Sequence, residues 1–439
     1  MSAYVFSIND YHSIKTASIK LDGITVLAGI NGCGKSTISR WIYYLVNGML
    51  VFEKTQCSYL INSLTHKITQ VNRLFKTLSG DTKYNGYIEK LQNLKNDFDE
   101  SNLENLFTAF TLQVENDLYS FIETANVEQK KRMAFYLRNN QTNEDYDEII
   151  SNFIKSCDDL YQTKLEKYHF AVSEHSLSDL EETIQSEYDD NFLIEEPELE
   201  MPQKFSFEEY GAPLIADKSF SVPLMLSRAI YIDTPMALSD QVDPIEESIW
   251  GRFRQLVSEP NKIKCDNINN LQFLIRDTIG GTVKLIKDDI GYSQELHYVR
   301  KDGLDIKLTD AATGIKTFAY LLRLLENGWL DKETILLIDE PEAHLHPQWI
   351  VEFARILVLL SKKIGVKIVL ASHNPDMVAA IQSIADKEQM LDKTHFYLAE
   401  PVADSSRYNF VDKGNEIGDI FESFNIAMSR IEQYGTPLL

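Results

Sequence analysis

Proline is absent from this 439-residue chain before Pro197, and glycine is absent between Gly86 and Gly211. Both residues punctuate helices, so a long interval lacking them predicts long helices there. Cysteine is scarce. Cys33, Cys57, Cys157 and Cys265 stand far apart and form no C-x-x-C. This excludes a disulfide framework or zinc knuckle and implies a reducing, cytoplasmic setting. Long apolar runs are missing too. The greasiest interval, residues 41–52, is broken by Asn47 and Gly48, whereas a bilayer span needs about 20 residues. No membrane association is expected, and the opening MSAYVFSINDYHSIK shows no apolar signal core. Positive charge is in deficit: 43 Lys and Arg face 66 Asp and Glu, a net charge of −23. Such a surface does not coat nucleic acid, which requires clustered Lys and Arg, although a local basic groove stays open. The acidity suits solubility or a basic partner. Apolar residues make up 44%, enough for a sizeable core, and the length fits two or three domains.

Near the N-terminus, residues 4–8 and 18–21 read as a hairpin and residues 24–28 as a short apolar strand. GINGCGKST follows, from Gly29 to Thr37. It matches G-x-x-x-x-G-K-[ST] at every defined position. Gly29, Gly32 and Gly34 let the backbone wrap a phosphate with its N–H groups pointing inward. Lys35 can reach β- and γ-phosphates, and Ser36 can ligate Mg²⁺. The apolar helix that follows, residues 38–46, offers its positive N-terminus.

Residues 335–347, ILLIDEPEAHLHP, form the second focus. Four apolar residues fit a strand buried on both faces of a parallel sheet. Asp339 and Glu340 then stand at its carboxyl end, where α/β proteins bind ligands. One carboxylate there can hold Mg²⁺ and the next can polarise a water. A helix over residues 348–362 leads to another buried strand, residues 366–372, ending at His373 in SHNPDMV. His344 and His346 admit a metal-pair reading, but no third ligand is evident, which favours a packed turn.

Between these foci, residues 51–225 read as a helical insertion. Leu91, Leu94 and Phe98, then Leu103, Leu106 and Phe110, recur at helical spacing. No heptad is sustained, so a compact bundle is expected, not a coiled coil. From Glu174 to Tyr210, 13 acidic residues face one Lys204; this is a solvated edge or a dock for a basic surface. Residues 229–233 return to strand, and residues 239–257 read as helix. Residues 282–287, 295–299 and 306–308 read as strands, with a turn at Asp302-Gly303. A helix starts at Thr313-Gly314, with Thr313 as N-cap, a stripe of Phe318, Leu321, Leu322 and Leu325, and Gly328 as its stop.

Over residues 1–50 and 226–400 these motifs, in this order, resemble ABC-type ATPases of the SMC, RecF and OLD branch. They are similar to standalone ATPase subunits of prokaryotic anti-phage systems of the Septu or PARIS type. The resemblance implies an α/β fold: an ABC-type P-loop ATPase with a mixed sheet core and a large α-helical insertion. The domains are then residues 1–50, with the P-loop, the insertion 51–225, and residues 226–439. Carried over by position, the loop from Gly29 through Asn31, Gly32, Cys33, Gly34, Lys35, Ser36 and Thr37 binds ATP. Ser36 and Asp339 hold Mg²⁺, Glu340 is the general base, and His373 senses the γ-phosphate. In such ATPases two subunits sandwich two nucleotides, and a signature segment completes the partner's site. AATGIK, with Thr313 and Gly314, holds that place here; Ala312 replaces the usual serine, which bears on hydrolysis rate. The usual Q-loop glutamine has no counterpart in IDTP, residues 232–235.

The implied function is an ATP-binding and hydrolysing switch, a homodimer or higher homo-oligomer, controlling a separately encoded effector, a nuclease, in anti-phage defence. The alternatives are a RecF-like DNA-binding repair clamp, a transporter ATPase subunit, and a scaffold that uses ATP without hydrolysing it. Charge disfavours the clamp; the altered signature and the insertion disfavour the transporter.

Overall fold

Short runs of Val, Ile and Leu become the centre of one mixed sheet, because a strand covered on both faces needs apolar side chains at successive positions. A computed structural model describes residues 3–80, 82–95, 97–137, 145–189, 200–233, 249–261, 268–287, 294–422 and 434. The chain divides into two compact units, Met1–Leu50 with Leu180–Leu439, and Val51–Asp179. The first unit opens with an antiparallel hairpin of β1 (Tyr4–Tyr11) and β2 (Ile14–Lys20), in which Phe6 faces Ile19 and Ile8 faces Ala17. Next comes β3 (Ile24–Ala28), every residue of it buried. Helix α1 (Lys35–Ser79) follows.

The second unit is a helical bundle. It contains α1 from residue 51 onward, α2 (Asn85–Leu94), α3 (Glu100–Thr124), α4 (Val127–Leu137) and α5 (Tyr146–Glu174). Leu91, Leu103 and Phe110 of the expected apolar spacing are buried in its core, and Leu94, Phe98 and Leu106 pack at its margin. Asp99 fixes the start of α3 by accepting from the N–H groups of Ser101 (2.9 Å) and Asn102 (3.3 Å). Helix α6 (Leu177–Asp189) completes the helical run.

The helical reading of residues 51–225 extends too far. From Lys204 the chain is strand: β4 (Lys204–Glu209) pairs antiparallel with β1, Phe207 opposite Phe6. The reason is local, since Phe205 and Phe207 alternate with polar residues at the period of a strand. The acidic run begins at the end of α5 with Glu174 and continues through α6 to β4; its residues 190–199 lie outside the described residues. Three dipeptide strands follow, β5 (Ala212–Pro213), β6 (Ile215–Ala216) and β7 (Ser219–Phe220), and then β8 (Arg228–Ile232). Of the helix expected over residues 239–257, the described part is α7 (Ile249–Ser258); residues 234–248, with Thr234 and Pro235 of IDTP, lie outside the described residues.

After α8 (Asn269–Thr278), strands β9 (Gly281–Lys287), β10 (Gln294–Arg300) and β11 (Asp305–Lys307) form a separate antiparallel sheet. Its second hairpin turns at Gly303, whose φ is 94°, as Asp-Gly demands. Helix α9 (Thr313–Glu326) comes next. Thr313 is its first helical residue and not its N-cap. Ala312 takes the cap position, because its carbonyl already accepts from the N–H of Ile315 and Lys316. The apolar stripe of α9 is wider than expected: Thr317, Ala319, Tyr320 and Leu324 are buried as well, so the helix is enclosed on most sides. The chain then runs through β12 (Thr334–Asp339), α10 (Pro347–Ile364), β13 (Lys367–Ser372), α11 (Pro375–Lys387), β14 (Thr394–Pro401) and β15 (Tyr408–Asp412).

The large sheet has the order β5-β4-β1-β2-β15-β14-β3-β13-β12-β8. From β14 to β8 its strands are parallel. Ala28 pairs with Ser372, Asp339 with Ala371, and Ile338 with Ile232. The carboxyl ends of four strands therefore share one edge, the usual place for a ligand in such a sheet.

Candidate functional site

The glycine loop joins the end of β3 to the start of α1. A Cβ on Gly29 would lie 2.8 Å from the Cβ of Ala399 and 2.9 Å from the Sγ of Cys33. On Gly34, with φ 105°, it would lie 2.7 Å from the Cγ1 of Ile14. Only glycine permits this path and this approach of neighbouring chain. Cys33 is buried beneath the loop, whereas Asn31, Gly32 and Ser36 are exposed and Thr37 is half-buried. Lys35 is buried and bends over the loop, its Nζ donating to the carbonyls of Gly29 (2.8 Å) and Ile30 (2.9 Å). Among the described residues the ammonium thus has no carboxylate partner, and it is held by neutral dipoles that a phosphate can replace.

The first turns of α1 stand beside the end of β12. Asp339 is 2% exposed and accepts from the Tyr231 hydroxyl at 2.9 Å. Burial pushes the Asp339 carboxyl above its ordinary range, and the hydroxyls of Ser36, Tyr231 and Ser39 oppose this. Its Oδ1 is buried without a hydrogen-bond partner. Arg40 donates to the Tyr231 hydroxyl (3.2 Å) and to Asp233 (3.4 Å), so Arg40, Tyr231 and Asp339 form one chain of contacts. Tyr231→Phe is expected to leave Asp339 with still fewer donors and to lower stability by roughly 1–3 kcal/mol. Urea unfolding of the two proteins side by side measures this; equal midpoints would contradict it.

Past Asp339 the backbone turns sharply. Glu340 has a φ of 47°, its N–H donates to the carbonyl of Ala371, and its carboxylate is part-exposed. His373, at the end of the adjacent β13, brings Nδ1 within 3.6 Å of Glu340 and 3.7 Å of Glu342. Glu342 is buried, and its Oε1 accepts from the Ser372 hydroxyl (2.8 Å) and the His373 N–H (3.0 Å). Burial pushes its carboxyl above the ordinary range, and its Oε2 is buried without a partner. Glu342 therefore ties the turn after β12 to the end of β13.

The sequence-derived candidates divide into two places. The loop from Gly29 to Thr37, Asp339, Glu340 and His373 meet at one edge of the sheet. Thr313 and Gly314 lie at the start of α9, where a Cβ on Gly314 would stand 3.1 Å from the Trp349 ring, so that glycine also serves helix packing. His344 and His346 are structural. His344 takes a left-handed turn with φ 61°. His346 caps α10, its Nδ1 accepting from the N–H of Gln348 at 3.3 Å. Glu342, Tyr231 and Arg40 carried no role in the sequence reading. Glu342 could have been noticed as the third acid of DEPE; Tyr231 and Arg40 are joined only by strand order.

The residues present fit a nucleoside triphosphate and a divalent cation. Gly29 and Gly34 let the loop close tightly against Ala399 and Ile14, and the buried Lys35 ammonium meets the Gly29 and Ile30 carbonyls and, at 3.9 Å, the Cys33 Sγ. The Asp339 carboxyl, one oxygen of which is buried without a hydrogen-bond partner, feels the Ser36 hydroxyl, and oxygen ligands of this kind suit Mg²⁺.

Residues 4–378 match the family described as AAA ATPase domain. The Septu protein PtuA of Bacillus mycoides (strain KBAB4) is 25% identical over 204 residues, 42% of this chain and 28% of that protein. The energy-coupling factor transporter ATP-binding protein EcfA3 of Clostridium perfringens (strain ATCC 13124) is 31% identical over 97 residues, 22% of this chain and 33% of that protein. The chain thus spans a third or less of the length of these two curated relatives. Among solved structures, an SMC head bound to the C-winged helix domain of ScpA aligns with a TM-score of 0.37 at 13% identity, covering 94% of this chain and 98% of the other. The SMC head domain from Thermotoga maritima aligns with a TM-score of 0.35 at 13% identity, covering 94% and 99%.

Proposed function

The chain belongs to the AAA ATPase domain family, and from that premise we propose that it is an ATP-driven switch: it binds ATP with Mg²⁺, pairs with a second copy through the nucleotides, hydrolyses them, and controls a separately encoded effector, a nuclease, in anti-phage defence. The observation that carries the chemistry is the meeting of Lys35, Ser36, Asp339, Glu340 and His373 at one sheet edge. The defence setting draws on the motif resemblance and on the similarity to a Septu protein.

Each residue has a physical task in this reading. The γ-phosphate oxygens take the place of the Gly29 and Ile30 carbonyls on the Lys35 ammonium. The N–H groups of the loop and of the first turn of α1 receive the remaining phosphate oxygens. Ser36 and Asp339 would hold Mg²⁺, which supplies charge neutralisation between the phosphates. Glu340, part-exposed beside His373, orients a water and accepts its proton. His373 donates toward the γ-phosphate and so registers whether it is present. Thr313 and Gly314 of one copy approach the nucleotide held by the other.

Lys35→Ala is expected to weaken ATP binding by at least about tenfold, because a charge-assisted hydrogen bond is worth roughly 1.5–3 kcal/mol. Titration of a fluorescent ATP analogue with Mg²⁺ measures the effect, and an unchanged Kd would remove the basis of the proposal. The effector is sought by affinity purification with ATP and Glu340→Gln protein; no nuclease partner in that state would sink the defence reading while leaving the ATPase intact.

A further inference from the structure

One groove of the helical unit has a charge opposite to that of the whole chain. Between Glu53 and Asp81 the sequence has no acidic residue, yet it contains Lys54, Lys67, Arg73, Lys76 and His66. This interval is the later part of α1. Ile61, Leu64, Ile68, Val71 and Phe75 turn into the bundle and are buried. Asn62, His66, Gln70 and Arg73 follow at spacings of three and four and stay exposed, so they share one face of the helix.

That face lines a groove whose other wall is α5. One part, about 610 Å³, is bordered by Tyr59, His66, Lys67, Gln70 and Lys164. The adjoining part, about 360 Å³, shares Lys67 and Gln70 and adds Arg73, Tyr136 and Phe153. Among the described residues, no carboxylate borders either part. Ion pairs elsewhere in this unit engage Lys83 and His169; none among the described residues engages Lys67, Arg73 or Lys164. The Lys67 ammonium lies 4.8 Å from the centre of the Phe153 ring, within cation–π range.

We propose that this groove binds a single strand of nucleic acid, with Lys67, Arg73 and Lys164 on its phosphates and the rings of Tyr59 and Tyr136 offered to its bases. Cations interleaved with rings along a track are the chemistry of sequence-tolerant single-strand binding. From Tyr59 to Thr77, α1 rises about 27 Å at 1.5 Å per residue, long enough for several nucleotides. The two volumes lie in the range of small-ligand clefts, about 300–1,000 Å³. The acidity of the remaining surface does not forbid this, because its field is screened beyond about 8 Å at physiological salt. An acidic peptide would meet the same cations but has no flat bases for the rings. The site is independent of the nucleotide site, so either can fail without the other.

The test uses the full chain and fluorescence anisotropy with a labelled oligothymidylate of about 15 nucleotides. Binding should weaken as KCl rises from about 50 to 200 mM, with a log–log slope near −2 for three phosphate contacts. Arg73→Gln with Lys164→Gln, both away from the buried core, should weaken binding at least about tenfold at low salt and reduce the slope to about −0.7. Basal ATP turnover should be unchanged, and Lys363→Gln with Lys387→Gln should not alter oligonucleotide binding. The proposal is overturned if wild type shows no saturable binding at low salt. It is equally overturned if the double variant binds like wild type, or if a polyglutamate peptide or a duplex competes as well as the single strand.

Discussion

Glu340→Gln is expected to lower ATP turnover by about 10²- to 10⁴-fold, the range a general base contributes, while ATP binding is kept. The amide has the size of the carboxylate but cannot accept the proton of an attacking water. Because Lys35, Ser36 and Asp339 are untouched, the nucleotide should stay bound and the paired state should accumulate. Two measurements separate these effects: phosphate release under single-turnover conditions, and light scattering of the protein with and without ATP. Turnover close to wild type would show that Glu340 is not the base. The 3.6 Å separation of Glu340 and His373 leads to a related expectation. On the proposed reading, His373→Ala should reduce turnover less than Glu340→Gln, since the histidine would sense the γ-phosphate and the glutamate would accept the proton.

The second large effect belongs to a residue with no motif role. Glu342→Ala should reduce turnover by on the order of 10²-fold, since displacing reacting groups by about an ångström carries that penalty. Glu342 Oε1 is the shared acceptor for the Ser372 hydroxyl and the His373 N–H. Without it the buried Ser372 hydroxyl and the part-buried His373 N–H lose their shared acceptor, at a cost of roughly 1–3 kcal/mol, and the turn that carries Glu340 keeps its backbone bond to Ala371 but loses the side-chain tie to the end of β13. The Kd for ATP should change little, because the loop and Lys35 do not touch Glu342; the loss should fall on kcat. Equal losses in kcat and in ATP affinity would mean general unfolding of the edge instead.

Glu342→Gln adds a pH signature. Burial raises the Glu342 carboxyl in the folded state, so folding favours its protonated form. Its contribution to stability is therefore complete below the ordinary glutamate pKa and is lost as pH rises through the higher folded value. Asp339 is raised by the same cause and acts with the same sign. The wild-type protein should lose stability across that window, and Glu342→Gln should lose less. Urea midpoints measured at a series of pH values decide this, and parallel curves would refute it.

Several features were legible before any fold was known because each is contiguous. The loop from Gly29 to Thr37 follows an apolar run and precedes a helix, so its chemistry and its setting lie side by side in the chain. Asp339 and Glu340 likewise end a run that only a buried strand explains. The bundle core around Leu103 and Phe110 was readable from period alone. The error over Lys204–Glu209 came from reading the absence of breakers past the point where Phe205 and Phe207 change the period. Thr313 was misplaced by one residue because helix ends are set by which carbonyl first accepts, and here that is Ala312.

By itself the sequence determined the local chemistry: which residues can cradle phosphate, which carboxylates end a buried strand, and where the chain becomes helical. These depend on neighbours in the chain, and backbone freedom and apolar period act over a few residues. Only the tertiary structure decided which distant groups meet. Strand order brings Arg40 and Tyr231 to Asp339, and the pairing of β12 with β13 sets His373 between Glu340 and Glu342. It also lines a groove of α1 and α5 with cations in an otherwise acidic chain. No local rule supplies those meetings, because they follow from how whole strands and helices bury their apolar faces together.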